Sequence, residues 1–123
     1  MSNLRAQLES ESNEFQQIQK EISKFVETRE RLESQLRENE LVDKEFQHLE
    51  DDANIYKLLG PVLVKQEKSE AKLNVSKRLE YIKGEIERVE KTLTELSQKA
   101  EKKKTELMKL QSQYQEQLQT AKA

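Results

Sequence analysis

The chain has one histidine, His48. A single imidazole could act as a general base or a metal ligand. No cysteine and no second histidine exist to complete a metal site with it, and it falls off the apolar seam of its helix, at a solvated position. Asp51-Asp52 and the many glutamates could supply paired carboxylates for acid–base chemistry. Such pairs work inside a concave pocket, and this pattern reads them as solvated faces and helix ends. Lys102-Lys103-Lys104 is a short basic run beside Glu101 and Glu106, a solvated helix face without the electrostatic footprint of nucleic-acid binding. Gly60 alone is no phosphate loop, and no Walker or dinucleotide fingerprint is present. The sequence nominates no catalytic residue, metal ligand or cofactor. The expectation is a protein that is not an enzyme.

The informative stretch is apolar. Ile55-Tyr56-Lys57-Leu58-Leu59 and Val62-Leu63-Val64-Lys65-Gln66 flank Gly60-Pro61, which includes the only proline and one of two glycines. Two short β-branched and apolar runs around such a pair read as a β-hairpin. Gly60 reaches positive φ without steric cost, and Pro61 stops a helix from running through. A two-residue turn sets Leu59 against Val62, Leu58 against Leu63 and Tyr56 against Lys65. One face then carries Ile55, Leu59, Val62 and Val64, the other Tyr56, Leu58 and Leu63. A lone two-stranded hairpin is marginal in water and its edges offer unpaired backbone groups. The hairpin is therefore expected to pair with other chains.

The elements that must hold this hairpin are long helices. Charged residues make up 37% of the 123, hydrophobic residues 33%, and there is no Trp. That composition is too charged for an ordinary globular core, and with heptad periodicity it specifies coiled coil rather than disorder. A net charge of −2 with both signs interleaved excludes a global field for nucleic acid or an anionic membrane. No run approaches the roughly 20 apolar residues of a membrane span, and Met1-Ser2-Asn3-Leu4-Arg5 does not open a signal peptide. Absence of cysteine suits a reducing compartment, so a cytoplasmic location is expected.

In the first arm Leu8, Phe15, Ile22 and Leu36 recur on one heptad position and Leu4, Ile18, Phe25 and Leu32 on the other, with Glu11, Arg29 and Asn39 as exceptions. Beyond Asn39 the apolar residues Val42, Phe46 and Leu49 imply a phase slip. In the second arm Leu79, Ile86, Leu93, Ala100, Leu107, Tyr114 and Ala121 alternate with Val75, Ile82, Val89, Leu96 and Leu110. Ser69 is the expected N-cap. Chain reversal at the hairpin makes the arms antiparallel, with Leu49 near Val75 and with Leu4 and Leu8 near Tyr114 and Leu118. Glu11, Lys103 and Gln117 sit where apolar knobs belong, so the terminal end of the seam is expected to be loosely packed and able to splay. Leu4, Leu8, Phe15, Leu110, Tyr114 and Leu118 are the apolar residues it would present.

Two coiled-coil arms around one central hairpin resemble prefoldin. The residues that carry the match are Asp51-Asp52-Ala53-Asn54-Ile55-Tyr56-Lys57-Leu58-Leu59-Gly60-Pro61-Val62-Leu63-Val64-Lys65, with Ala71, Leu79, Ile82 and Ile86 opening the second helix. One hairpin resembles the β class, and Tyr56 to Glu67 is most similar to the eukaryotic subunit 6 type. The resemblance implies a mainly α fold, a long antiparallel two-helix coiled coil with a central hairpin. It forms one domain over 1–123: helix 3–51, hairpin 53–67, helix 69–119 and a tail at 120–123. It further implies that Ile55, Tyr56, Leu58, Leu59, Gly60, Pro61, Val62, Leu63 and Val64 join an intersubunit β-barrel in a hexamer of two α-class and four β-class subunits. The implied function is ATP-independent capture of unfolded actin- and tubulin-class clients at the coiled-coil tips, with delivery to the cytosolic group II chaperonin. A structural scaffold or tether that oligomerises through the hairpin is the alternative.

Overall fold

The computed structural model describes residues 2–50 and 53–122. Asp51 and Asp52, which the sequence places at the acidic end of the first arm, lie outside the described residues, as do Met1 and Ala123. The element order is α1 (Ser2–His48), β1 (Ile55–Leu59), β2 (Val62–Gln66) and α2 (Lys68–Lys122). No proline or glycine interrupts α1, and only Gly84 interrupts α2, so runs of 47 and 55 residues stay helical.

Helix ends follow local hydrogen bonding. α1 stops at His48 rather than reaching 51. The Leu49 amide donates to the Phe46 carbonyl (3.4 Å), tightening the end of the helix, and the Ala53 amide donates to the Glu50 carbonyl (3.0 Å); a glutamate beyond the C-terminus opposes the helix dipole. The last carbonyls are partly met from outside the helix, since Lys68 Nζ donates to the Leu49 carbonyl at 2.6 Å. This contact sets the end of α1 against the first residue of α2, whereas the heptads set Leu49 against Val75. At the start of α2 the Ala71 amide donates to the Glu67 carbonyl at 3.0 Å. Glu67 therefore holds the cap position expected for Ser69, which lies inside the first turn. At its other end α2 continues to Lys122 because nothing after residue 119 breaks a helix; Thr120 Oγ1 donates to the Glu116 carbonyl at 2.9 Å.

The chain divides into two compact units, one formed by residues 29–88 and the other by residues 1–28 with 89–123. The first, the hairpin unit, holds β1, β2 and the adjoining helix segments. Its buried residues are Ala71, Val75 and Ile82 of α2, with Leu32, Leu36 and Phe46 of α1 half-buried. Arg78 Nη1 donates across the helix pair to Asn39 Oδ1 at 3.5 Å. The second, the terminal unit, buries Val89, Leu93 and Leu96. There Lys103 meets Glu11, and Ile18 lines a groove with Leu96, so the two helices run antiparallel within that unit.

The expected phase slip beyond Asn39 does not occur. Half-buried positions continue in unbroken three-four spacing through Leu32, Leu36, Asn39, Asp43 and Phe46, while Val42 and Leu49 are exposed. Helix geometry keeps the seam on one face, and an aspartate occupies a position where the sequence offered a valine one residue earlier. A second correction falls near the end of α2, where Leu118 is half-buried and Gln117 exposed. The leucine, not the glutamine, turns to the seam.

Candidate functional site

β1 and β2 pair antiparallel with Leu59 opposite Val62, Leu58 opposite Leu63, Lys57 opposite Val64, Tyr56 opposite Lys65 and Ile55 opposite Gln66. This is the register that a two-residue turn requires. Gly60 has φ of 59°, and proline holds the next φ negative. A positive first and a negative second central residue form the sign pattern of a type II′ turn, whose twist matches that of hairpin strands. Pro61 also lies at a turn position, where its missing N–H breaks no ladder bond.

Alternation along the strands puts Ile55, Lys57, Leu59, Val62, Val64 and Gln66 on one face and Tyr56, Leu58, Leu63 and Lys65 on the other. Neither face is covered. Leu58 is 67% exposed, Leu63 63% and Tyr56 55%; Leu59, Val62 and Val64 are exposed as well, and only Ile55, at the helix-proximal end, is half-buried. Six large apolar residues within ten strand positions stay in solvent, and the sheet has only these two strands among the described residues. Both outer edges thus keep unpaired backbone donors and acceptors. An apolar concentration of this kind marks a surface built to be covered.

In the terminal unit the six residues singled out from the sequence, Leu4, Leu8, Phe15, Leu110, Tyr114 and Leu118, are all half-buried. Each helps close the helix pair and leaves part of its surface in solvent. Met108 is exposed. Two of the polar seam positions are not gaps. Lys103 Nζ lies 2.6 Å from Glu11 Oε2 and 2.5 Å from Glu14 Oε2, with Glu106 at 4.0 Å. Hydrogen bonds to Glu11 and then Glu14 raise the lysine pKa well above its ordinary value. A seam lysine that meets a seam glutamate on the facing helix favours one register over its neighbours. Loose packing at these two positions is therefore replaced by a polar clasp. The opposite signs of Glu11 and Lys103 were a readable signal for it; Glu14, off the seam, was not.

Beside the clasp Glu14, Gln17, Ile18, Leu96, Lys99 and Glu106 line a groove. Among the described residues no group of His, Cys, Asp and Glu is placed to hold a metal ion, and no helix is long and apolar enough to cross a membrane. His48 is exposed at the last residue of α1.

A family model described as a prefoldin subunit matches residues 9–121. The chain is 47% identical over 112 residues to prefoldin subunit 6 of Arabidopsis thaliana, covering 91% of this chain and 87% of that protein. It is 48% identical over 96 residues to prefoldin subunit 6 of Saccharomyces cerevisiae, covering 78% and 84%. In fold it is similar to the crystal structure of the prefoldin β subunit from Thermococcus strain KS-1, with a TM-score of 0.79, 21% identity and coverage of 89% of this chain and 96% of that one.

Proposed function

From the premise that this chain belongs to the prefoldin family, we propose that it is a subunit of the hexameric prefoldin co-chaperone, joined to the other α-class and β-class subunits through its hairpin. One observation supports this reading above the rest: a well-formed hairpin exposes large apolar residues on both faces and unpaired backbone on both edges. Strands from neighbouring subunits would satisfy the edges, and their side chains would cover the faces. Ile55, Tyr56, Leu58, Leu59, Val62, Leu63 and Val64 supply the contacts, and Gly60 and Pro61 set the turn that aligns them.

Function then needs no chemical step and no cofactor. Unfolded chains of the actin and tubulin class are held by the partly exposed apolar residues of the terminal unit, Leu4, Leu8, Phe15, Leu110, Tyr114 and Leu118. Each contact is weak, and several subunits acting together give avidity. Release follows transfer to the group II chaperonin in the cytosol.

The test is client protection by reconstituted assemblies. Partner prefoldin subunits are mixed with the full chain or with residues 18–107, then with chemically unfolded actin. Hexamers from both, with aggregation suppressed only by the full chain, are the expected result. Equal protection by both moves the client contacts away from these residues. A full chain that never joins the partners leaves the scaffold reading in its place.

A further inference from the structure

The hairpin's apolar faces carry two charges, both positive. Lys57 is the central residue of β1 and Lys65 lies on β2. Both are exposed, and neither has an ion-pair partner among the described residues. The strands contain no Asp or Glu.

The ladder register decides what the central position means. Leu59 and Val62 flank the two-residue turn as a hydrogen-bonded pair, and pairs alternate from there. Lys57 is two residues on, so its own N–H and C=O point inward to Val64, while those of Tyr56 and Leu58 point to the open edge. A second copy that adds to this edge by two-fold symmetry, with the greatest overlap of strands, places Lys57 opposite the partner's Lys57. That contact is a non-hydrogen-bonded pair, the type with the closest side chains. Like charges directly opposite are destabilising. The same operation on β2, centred on Val64, sets Lys65 against Leu63 and opposes no charges.

We propose that Lys57 is a charge selector at the β1 edge: it disfavours closure of this chain on a second copy of itself and favours a neighbouring strand, from a different subunit, that presents Asp or Glu at the facing position. The proposal rests on the reading of the hairpin as an assembly element and names the chemistry of its partner. A lysine at an open edge already discourages indiscriminate pairing; at the symmetry centre of the strand it does so selectively against the self-complementary arrangement.

Sedimentation equilibrium of the full chain tests this with four samples: the natural chain, Lys57→Glu, an equal mixture of the two, and Lys57→Thr. Exchanging a like-charge for an opposite-charge pair shifts the equilibrium by roughly three- to thirty-fold. The mixture is therefore expected to associate at least threefold more tightly than either chain alone, and Lys57→Thr to lie between. If all four associate alike, the facing register is not used and the proposal is overturned. In parallel, each variant is mixed with partner prefoldin subunits. Lys57→Glu is expected to enter hexamers at least threefold less well than Lys57→Thr, and equal entry overturns the acidic partner. Failure of the natural chain itself to enter a hexamer would count against the assembly reading and leave the four-sample comparison readable.

Discussion

The hairpin and the helix that follows it draw on the same apolar residues and treat them oppositely. Ile82 of α2 is 3% exposed, whereas Leu58 of β1 is 67% exposed. The helices form a seam that each closes for the other, so the leucines and valines on that seam are satisfied within one chain, while Leu41 and Leu73 stay exposed off it. The strands have no such complement. At about 25 cal/mol per Å², burying the hairpin's exposed side chains would stabilise an assembly by several kcal/mol, and the isolated chain leaves that free energy unused. Burial thus separates the seam residues from those of the hairpin, although Leu41, Leu73 and Tyr81 on the helices are as exposed as the hairpin side chains.

The sharpest way to break this comparison is to put one charge in each region. Tyr56→Asp is expected to abolish entry into the hexamer, because a carboxylate would be buried without a partner in a shared sheet. The same change should leave the isolated chain's stability within about 0.5 kcal/mol, as for other exposed positions. Size-exclusion chromatography with partner subunits and urea unfolding of the chain alone measure the two effects. A mutant that still enters hexamers at normal yield would show that this side chain lies outside the joint.

Ile82→Ala asks the converse. Removing a buried isoleucine side chain costs roughly 2–4 kcal/mol, a large share of the stability of a two-helix seam. Urea unfolding followed by circular dichroism should show that loss, and assembly should fall only in proportion to the folded fraction. If Ile82→Ala reduced assembly while the chain stayed fully folded, the seam and the joint would not be separate.

How much of this was legible beforehand follows from periodicity. The seam from Leu4 to Asn39 and the register Leu58–Leu63 were readable, since a heptad and a two-residue turn leave little geometric freedom. The course of the seam beyond Asn39 was not. Residue type was a poor guide there, because Asp43 sits in the seam and Val42 outside it, and only the continuous helix decides the matter. Helix ends shifted for a similar reason: Glu67, with no special side-chain propensity, takes the cap position through its backbone carbonyl. Lys103 was read as a misfit, although the opposite sign of Glu11 signalled half of the clasp; its second partner, Glu14, lies off the heptad positions and gave no signal.

A third region stands between the two extremes. The terminal seam is half-buried, and the Lys103 clasp limits how far it opens. With no natural cysteine, spin labels on Arg5→Cys and Lys109→Cys can report the separation of the helices there. Lys103→Ala is expected to broaden the distance distribution, Lys103→Arg to preserve it, and Glu11→Leu with Lys103→Leu to narrow it by completing an apolar seam. Because pairing raises the lysine pKa, its contribution is full below the ordinary lysine value and is lost only as pH climbs through the raised one. The distribution should therefore be insensitive to this lysine between neutral pH and about 9. A Lys103→Ala distribution identical to that of the natural chain would show that the clasp does not limit how far the terminal seam opens.

The smallest effect concerns Gly84. A Cβ built at this residue meets no atom within 4 Å, and its φ is not in the left-handed region. Neither the packing of this chain nor its backbone requires glycine there, yet glycine inside a helix costs about 1 kcal/mol relative to alanine. Gly84→Ala should accordingly stabilise the isolated chain by up to about 1 kcal/mol in urea unfolding. The informative measurement is the same variant in reconstituted hexamers. Unchanged yield means that the space beside Gly84 remains open after assembly and that no neighbour closes on α2 there. A stabilised chain that assembles poorly would mean that a neighbour's backbone comes close to this helix. The division between a self-sufficient seam and a partner-seeking hairpin would then have to be redrawn to give α2 a share in the joint.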